Sequence, residues 1–276
     1  MLIPRLPIGD TVEFAVDWIG DNFGTFLDFT SRQLDVLISG LKDVLLFLPP
    51  ELFILGISLL AYFAGKRNIR LAAGTAFGFF IINNMGLWAL SMETLALVLS
   101  SALFALLIGI PAGIASAKNE MLGHVVKPLL DFMQTMPSFV YLIPAVIFFE
   151  IGNVPGMIAT IVFAMPPTIR LTNLGIRQVP KELTEVADAF GSTGWQKLTK
   201  VELPVALPTI MAGINQCIML SLSMVVIAAM IGARGLGYQV LFGIQRLDVG
   251  MGFEAGLAIV IIAVFLDRIT QCLSPR

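Results

Sequence analysis

METLALVLSSALFALLIGIPAGIAS, residues Met92–Ser116, decides the fold class. A run of this length and this little polarity fits a helix that crosses a bilayer, which needs about 20 mostly apolar residues. Working outward, similar runs lie at roughly 48–65, 70–90, 129–151, 155–172, 206–232 and 252–271. Together they predict an all-α, polytopic integral membrane protein of about seven spans. The composition agrees: 57% of the residues are apolar and 13% charged, and the mean hydropathy is +0.89, more than the core of a soluble domain of 276 residues requires. The short alternating strands of a membrane β-barrel are absent from the pattern. Asp10, Glu13, Asp17 and Asp21 interrupt the first apolar stretches, so nothing there reads as a cleavable signal peptide.

Orientation is read from the basic residues, because Lys and Arg near span ends favour the cytoplasmic side. An outer N-terminus and a cytoplasmic C-terminus put Lys66, Arg67, Arg70, Lys118, Lys127 and Arg170 inside, with Arg177, Lys181, Lys197, Lys200, Arg268 and Arg276. Arg5, Arg32, Lys42, Arg234 and Arg246 remain outside. The formal net charge of -2 conceals this asymmetry, and no nucleic-acid partner is expected.

Three regions follow. Residues 1–47 form an N-terminal segment in which Leu34, Leu37, Ile38, Leu41, Val44, Leu45 and Leu48 recur at helical spacing, with Phe14 and Trp18 as interfacial anchors of an earlier helix. Such a segment is either a brace or partner platform along the outer membrane surface, or a solvated helix tucked against the fold. Residues 48–90 hold two accessory spans, and residues 91–271 the main bundle. No disulfide is expected between Cys217 and Cys272. The single histidine, His124, is expected in a short inner loop beside Lys127, without the companions a metal site needs. No catalytic residues can be assembled, and Gly65-Lys66 lacks the remainder of a phosphate-binding loop.

The longest hydrophilic interruption, 173–204, carries the functional signal. Its KELTEVADAFGSTGWQKLTKVELP, Lys181–Pro204, reads as helix, turn, helix, broken at Gly191, Ser192, Thr193 and Gly194. Val186, Ala189 and Phe190 share one face of the first helix, while Glu182, Glu185 and Asp188 stay polar. Ala187 and Gly191 are expected to form a small-residue edge that another surface can approach.

Glu185-Val186-Ala187, Gly191 and Val201-Glu202-Leu203-Pro204 resemble the cytoplasmic signature of permease subunits of binding-protein-dependent ABC importers, with Val186 in place of the middle alanine. DFMQTMPSFVYLIPAVIFF, GNVPG, FAMPPTIRLTNLGIRQVP and LPTIMAGINQCIMLSLSMVVIAAMIG further resemble the glycine betaine/proline betaine branch, over about 91–271. The resemblance implies the type I importer permease fold and an ATP-driven importer of a compatible solute such as glycine betaine, carnitine, choline or proline betaine, serving osmoprotection. It implies a coupling segment in which Glu185, Ala187 and Gly191 meet a separate ATPase that binds ATP and Mg, with Glu182, Asp188, Leu203 and Pro204 beside them. It also implies a second copy of the chain.

The translocation path is sought where prolines and uncharged polar groups interrupt the spans. Gln134, Pro137, Ser138, Phe139, Tyr141, Asn215 and Ser221 are the candidates; neutral dipoles and aromatic faces let a quaternary ammonium pass without trapping it. The competing role for each is hydrogen bonding between helices. An aromatic cage for the solute cannot be built from the scattered Trp18, Trp88 and Trp195, so affinity is expected in a separate solute-binding protein, docking outside near the Ala233–Met251 loop. An ion-gradient-coupled transporter is the alternative, disfavoured by the lack of a midplane carboxylate chain; an ABC permease for another small solute is a second.

Overall fold

The computed structural model describes residues 7–273, so Arg5 and Arg276, counted in the charge reading, lie outside it. Among the described residues all regular structure is helical. In chain order the helices are α1 (Ile8–Phe47), α2 (Pro50–Ala64), α3 (Ile69–Asn84), α4 (Trp88–Lys118), α5 (Glu120–Thr135), α6 (Ser138–Phe149) and α7 (Asn153–Arg177). They continue as α8 (Lys181–Ala189), α9 (Gly194–Lys197), a π-turn (Leu198–Glu202), α10 (Leu203–Ser223), α11 (Val225–Ala229), α12 (Leu236–Arg246) and α13 (Val249–Leu273).

The centre of the bundle is α7, flanked by α4 and α10 in the two most extensive helix interfaces. Lipid tails offer apolar helices no hydrophobic reason to associate, so contact depends on close packing through small residues. A Cβ on Gly113 of α4 would lie 2.6 Å from Thr172 Cβ of α7, and one on Gly213 of α10 would lie 3.1 Å from Leu171 Cβ. The hydroxyls buried here bond mainly to their own helices: Ser101 Oγ donates to the Leu97 carbonyl and Thr160 Oγ1 to that of Gly156, both at 2.7 Å. Polarity is thereby placed inside the bundle without an unpaired donor at those positions.

Of the about seven expected spans, length and composition identify four to six among the described residues. Four segments there are long and apolar enough to cross alone: α4, α7, the continuous run Gly194–Ala229, and α13. Two further pairs qualify only together, α1 with α2 and α5 with α6, each bent by nearly a right angle. The accessory spans 48–65 and 70–90 are helices of 15 and 16 residues. At about 1.5 Å per residue they reach about 22–24 Å, short of a hydrocarbon core of about 30 Å. Pro49-Pro50 and the turns at Gly65 and Gly86 delimit them. Parity of the span count therefore carries no orientation; the distribution of charge still does.

Two local readings are also corrected. The N-terminal segment is one helix of 40 residues rather than two, about 60 Å long. Its C-terminal half is packed onto the bundle, where Leu34 and Ile38 are buried in a cluster with Leu97, Ala105 and Val154. Its N-terminal half leaves Phe14, Trp18, Phe23 and Phe26 exposed. The 97° bend to α2 means that wherever α2 enters the membrane, α1 runs across its entry rather than along it. His124 lies not in a loop but on α5, whose N-terminus is capped by Asn119 Oδ1 accepting from Leu122 N at 3.2 Å.

The close approach of α4 to α7 generates a prediction. Gly113→Ala is expected to destabilise the purified chain by about 1–3 kcal/mol through overpacking. Gly56→Ala on α2, where a Cβ meets nothing within 4 Å, is expected to be neutral or stabilising by up to about 1 kcal/mol. Thermal unfolding in detergent compares the two.

Candidate functional site: a polar hairpin and a bent helix pair

The hairpin of α8 and α9 is held by three local devices. Helix α8 ends in a Schellman motif, with Ser192 N donating to the Ala187 carbonyl at 3.0 Å and Gly191 N to that of Asp188 at 2.9 Å. Gly191 sits at φ +75°, a conformation that side chains rarely adopt. Thr193 then opens α9 with a reciprocal capping box: its Oγ1 accepts from Gln196 N, and Gln196 Oε1 accepts from Thr193 N. Finally, Lys197 Nζ donates to both Asp188 oxygens at 2.8 Å, fixing one arm on the other. That hydrogen-bonded carboxylate holds the Lys197 pKa above the ordinary lysine value.

What the hairpin presents differs from the sequence reading. Ala187 is 7% exposed, folded into the chain's own interior, so the small-residue edge with Gly191 does not form. An apolar stripe is open instead. Leu183, Val186 and Phe190, at helical positions i, i+3 and i+7, are exposed, Phe190 to 86%, and Trp195 on the second arm to 73%. Glu182 and Glu185 are exposed on the same helix.

The hairpin's root is bonded to the bundle. Beyond α9 the chain does not stop at Leu203-Pro204 but widens into the π-turn, where Leu203 N donates to the Leu198 carbonyl, and runs on into α10. Pro204 has no N–H for the ordinary ladder, which accounts for the widened turn before it. Glu202, 5% exposed, forms an ion pair with Lys118 at the end of α4. Asn173 Nδ2 of α7 donates to Ser116 Oγ at 2.8 Å, and Arg177 to the Ser116 carbonyl at 3.1 Å. Sequence reasoning missed Glu202. The available signal was a carboxylate between Val201 and Leu203, with Lys118 read only as a marker of topology.

The expected span 129–151 is broken between α5 and α6 by 98° at Met136-Pro137. Arg170 of α7 donates to Asp131 Oδ1 of α5 at 2.6 Å, and the Tyr141 hydroxyl donates across the bend to the Met133 carbonyl. Gln134, Pro137 and Phe139 are exposed beside this bend, with Ser138 and Tyr141 half-buried. These five path candidates are therefore brought together. The other two are not. Asn215 donates to Asp267 Oδ1 at 2.9 Å and accepts from Thr270 at 2.7 Å, joining α10 to α13; buried Ser221 donates to the Cys217 carbonyl of its own helix.

At the opposite end of α4 from Lys118, a cleft of about 410 Å³ is lined by Asp35, Lys42, Glu93, Asn153 and Arg234, among others. The segment after Ala233, expected to be a loop, is mostly helix α12. Gly235, at φ +111°, brings the chain so close to α4 that Leu236 N donates to Thr94 Oγ1 at 2.8 Å. Among the described residues, no three His, Cys or carboxylate side chains gather where one ion could bind.

Comparison with known proteins places this geometry. Residues 109–276 match the family described as binding-protein-dependent transport system inner membrane component. The chain is 50% identical over 269 residues to the glycine betaine transport system permease protein OpuAB of Bacillus subtilis, covering 98% of this chain and 95% of that protein. It is 49% identical to the glycine betaine/carnitine transport permease protein GbuB of Listeria monocytogenes, covering 99% and 98%. Identity to ProW of Escherichia coli, a glycine betaine/proline betaine transport system permease protein, is 45%, covering 96% and 75%. An inward-facing structure of the MetNI methionine ABC transporter shares the fold with TM-score 0.59 and 22% identity, over 66% of this chain and 93% of that one.

The root ion pair is open to test. Lys118→Met strands a buried carboxylate and is expected to cost up to about 3 kcal/mol, since Lys118 is partly solvated. Adding Glu202→Leu is expected to recover most of that loss, as read from thermal unfolding of both variants.

Proposed function

The chain belongs to the family of inner-membrane components of binding-protein-dependent transport systems, and from that premise we propose that it translocates glycine betaine or a related quaternary-ammonium compatible solute into the cell. The observation that carries the substrate class is identity of 45–50%, over nearly the whole chain, to permeases named for glycine betaine. ATP and Mg belong to a separate ATP-binding cassette subunit, which docks on the hairpin.

The geometry supports that docking in physical terms. A device that transmits force must hold its shape, and the hairpin is fixed by its Schellman motif, its capping box and the Lys197–Asp188 pair. A device that docks must offer unsatisfied apolar surface outside the lipid, and Leu183, Val186, Phe190 and Trp195 do so between the carboxylates Glu182 and Glu185. Gly191 contributes the turn, Ala187 the packing beneath it, and Leu203 and Pro204 the junction with α10. Motion of the hairpin then reaches α4 through Glu202 and Lys118, and passes from α4 to α7 through the bonds of Asn173 and Arg177 to Ser116.

In this reading the hairpin lies on the cytoplasmic side and the charged cleft with α12 on the outer side, where a solute-binding protein delivers its cargo. A second copy covers the bare α5–α6 face. The solute then passes Gln134, Ser138, Phe139 and Tyr141 at the bend opened by Pro137, meeting dipoles and aromatic faces, with the nearby Asp131 and Arg170 charges paired to each other. Helices α1–α3 pack on the outside of the bundle as accessory elements.

Phe190→Asp tests the docking surface without disturbing the fold, because the side chain is almost wholly exposed. It is expected to leave the unfolding free energy within about 0.5 kcal/mol of the parent, and to lower both ATPase co-purification and ATP-driven glycine betaine uptake at least about tenfold, as truncation of an interface anchor does. Uptake at the parental rate would remove Phe190 from the docking surface.

A further inference from the structure

We propose that the α2–α3 hairpin is a binding site for one anionic phospholipid, with the phosphate on the turn between the helices and an acyl chain in the groove along them. The turn Gly65–Arg70 carries Lys66, Arg67 and Arg70, all exposed and none in an ion pair with a described residue. Lys66 and Arg67 are consecutive residues at φ 52° and φ 68°, the left-handed region that side chains rarely adopt. The backbone is thus held in an unfavourable shape by residues that are not glycine.

Local electrostatics are unfavourable too. Asn68 Oδ1 caps α3 by accepting from Arg70 N and Leu71 N, which marks the positive end of a helix of 16 residues. That end favours Asp or Glu in its first turn. The first turn of α3 holds no acid, and holds Arg70 instead. Three exposed cations within six residues at a helix N-terminus are a conflict between local rules, and a conflict of this kind is characteristic of binding sites.

The ligand's other half is specified by the groove. A channel of about 470 Å³ runs between the helices, lined by Leu55, Ser58, Leu59 and Tyr62 of α2 and by Ala72 and Ala76 of α3. It ends beside the cationic turn, because its lining residues Tyr62 and Ala72 flank Gly65–Arg70 in the chain and Arg67 N donates to the Tyr62 carbonyl at 2.8 Å. Small Ala72 and Ala76 leave the space open. From Tyr62 to Glu51 at its far end the groove spans about 17 Å of helix, close to one leaflet of a hydrocarbon core of about 30 Å. Glu51 there repels a phosphate, which sets the ligand's direction. Ser58 Oγ, buried and without a partner in the chain, is a polar donor midway along the groove, two turns of helix from the cations. Basic residues opening onto an apolar groove between helices match a phospholipid, whose charge and tail are joined.

Lipid retention by the full-length chain in mixed micelles tests the site, read by native mass spectrometry with phosphatidylglycerol and phosphatidylcholine of identical acyl chains. The parent is expected to retain one phosphatidylglycerol at least about tenfold more strongly than phosphatidylcholine. Lys66→Gln with Arg67→Gln and Arg70→Gln abolishes the preference at unchanged helical circular dichroism. Ala76→Phe, which fills the groove, weakens retention of both lipids, and Lys127→Gln on α5 changes nothing. Equal retention of the two lipids by the parent, or undiminished preference in the triple variant, overturns the proposal. Displacement of the lipid by glycerol phosphate at equal concentration overturns it as well, since it would reveal a bare anion site. None of these readouts depends on transport, so the site stands or falls separately from the importer reading.

Discussion

At Gly113 a single added methyl would sit 2.6 Å from Thr172 Cβ and 2.9 Å from the Ile169 carbonyl. That near-contact of two backbones is the constraint on which the rest depends. Apolar helices in lipid gain nothing by hiding apolar surface from water, so α4, α7 and α10 hold together only as far as their atoms interlock. Gly109, Gly113, Gly175 and Gly213 supply the notches, and Thr168 and Thr172 the knobs. Once these three helices are locked, the positions of Ser116, Asn173 and Arg177 relative to one another follow, and so does the root of the hairpin.

The hairpin has the opposite design. It lies where water competes for every hydrogen bond, and its rigidity comes from short-range devices closed within about a dozen residues: a Schellman end, a capping box and one ion pair. Its attachment is the Lys118–Glu202 pair, whose carboxylate is buried. Such a pair is a poor source of net stability, because desolvation offsets the Coulomb gain, but an excellent source of fixed geometry, because breaking it strands a charge. A rigid knob on a geometrically fixed root suits the transmission of movement from a docked subunit to α4 and α7.

Much of this was legible in the residues, and the remainder failed for identifiable reasons. The run Met92–Ser116 announced α4 because a long apolar stretch has few alternatives, and the break at Gly191–Gly194 was visible because Gly, Ser and Thr there have specific turn roles. The bend at Pro137 was legible as a proline but not as a right angle, since hydropathy is blind to direction. Helix α1 was read as two segments because Gly20, Gly24 and the acidic residues around them weaken the helical pattern, although nothing stops the helix until Pro49. The length of α5 was hidden by its polar first half. Burial of Ala187 and Glu202 is a tertiary fact: each has the composition of a surface position, and only the packing of the hairpin on its own root determines otherwise. The same holds for Asn215, whose polarity fits a path equally well but whose bonds go to Asp267 and Thr270.

In the proposed function this chain moves a quaternary-ammonium solute only when a docked ATPase drives it. The most direct test is accumulation of radiolabelled glycine betaine in proteoliposomes containing the chain, with ATPase subunit, solute-binding protein and ATP each present or omitted. Accumulation that requires all three, and that persists when sodium and proton gradients are collapsed, is the predicted result. Accumulation by the chain alone under an imposed sodium or proton gradient would contradict it.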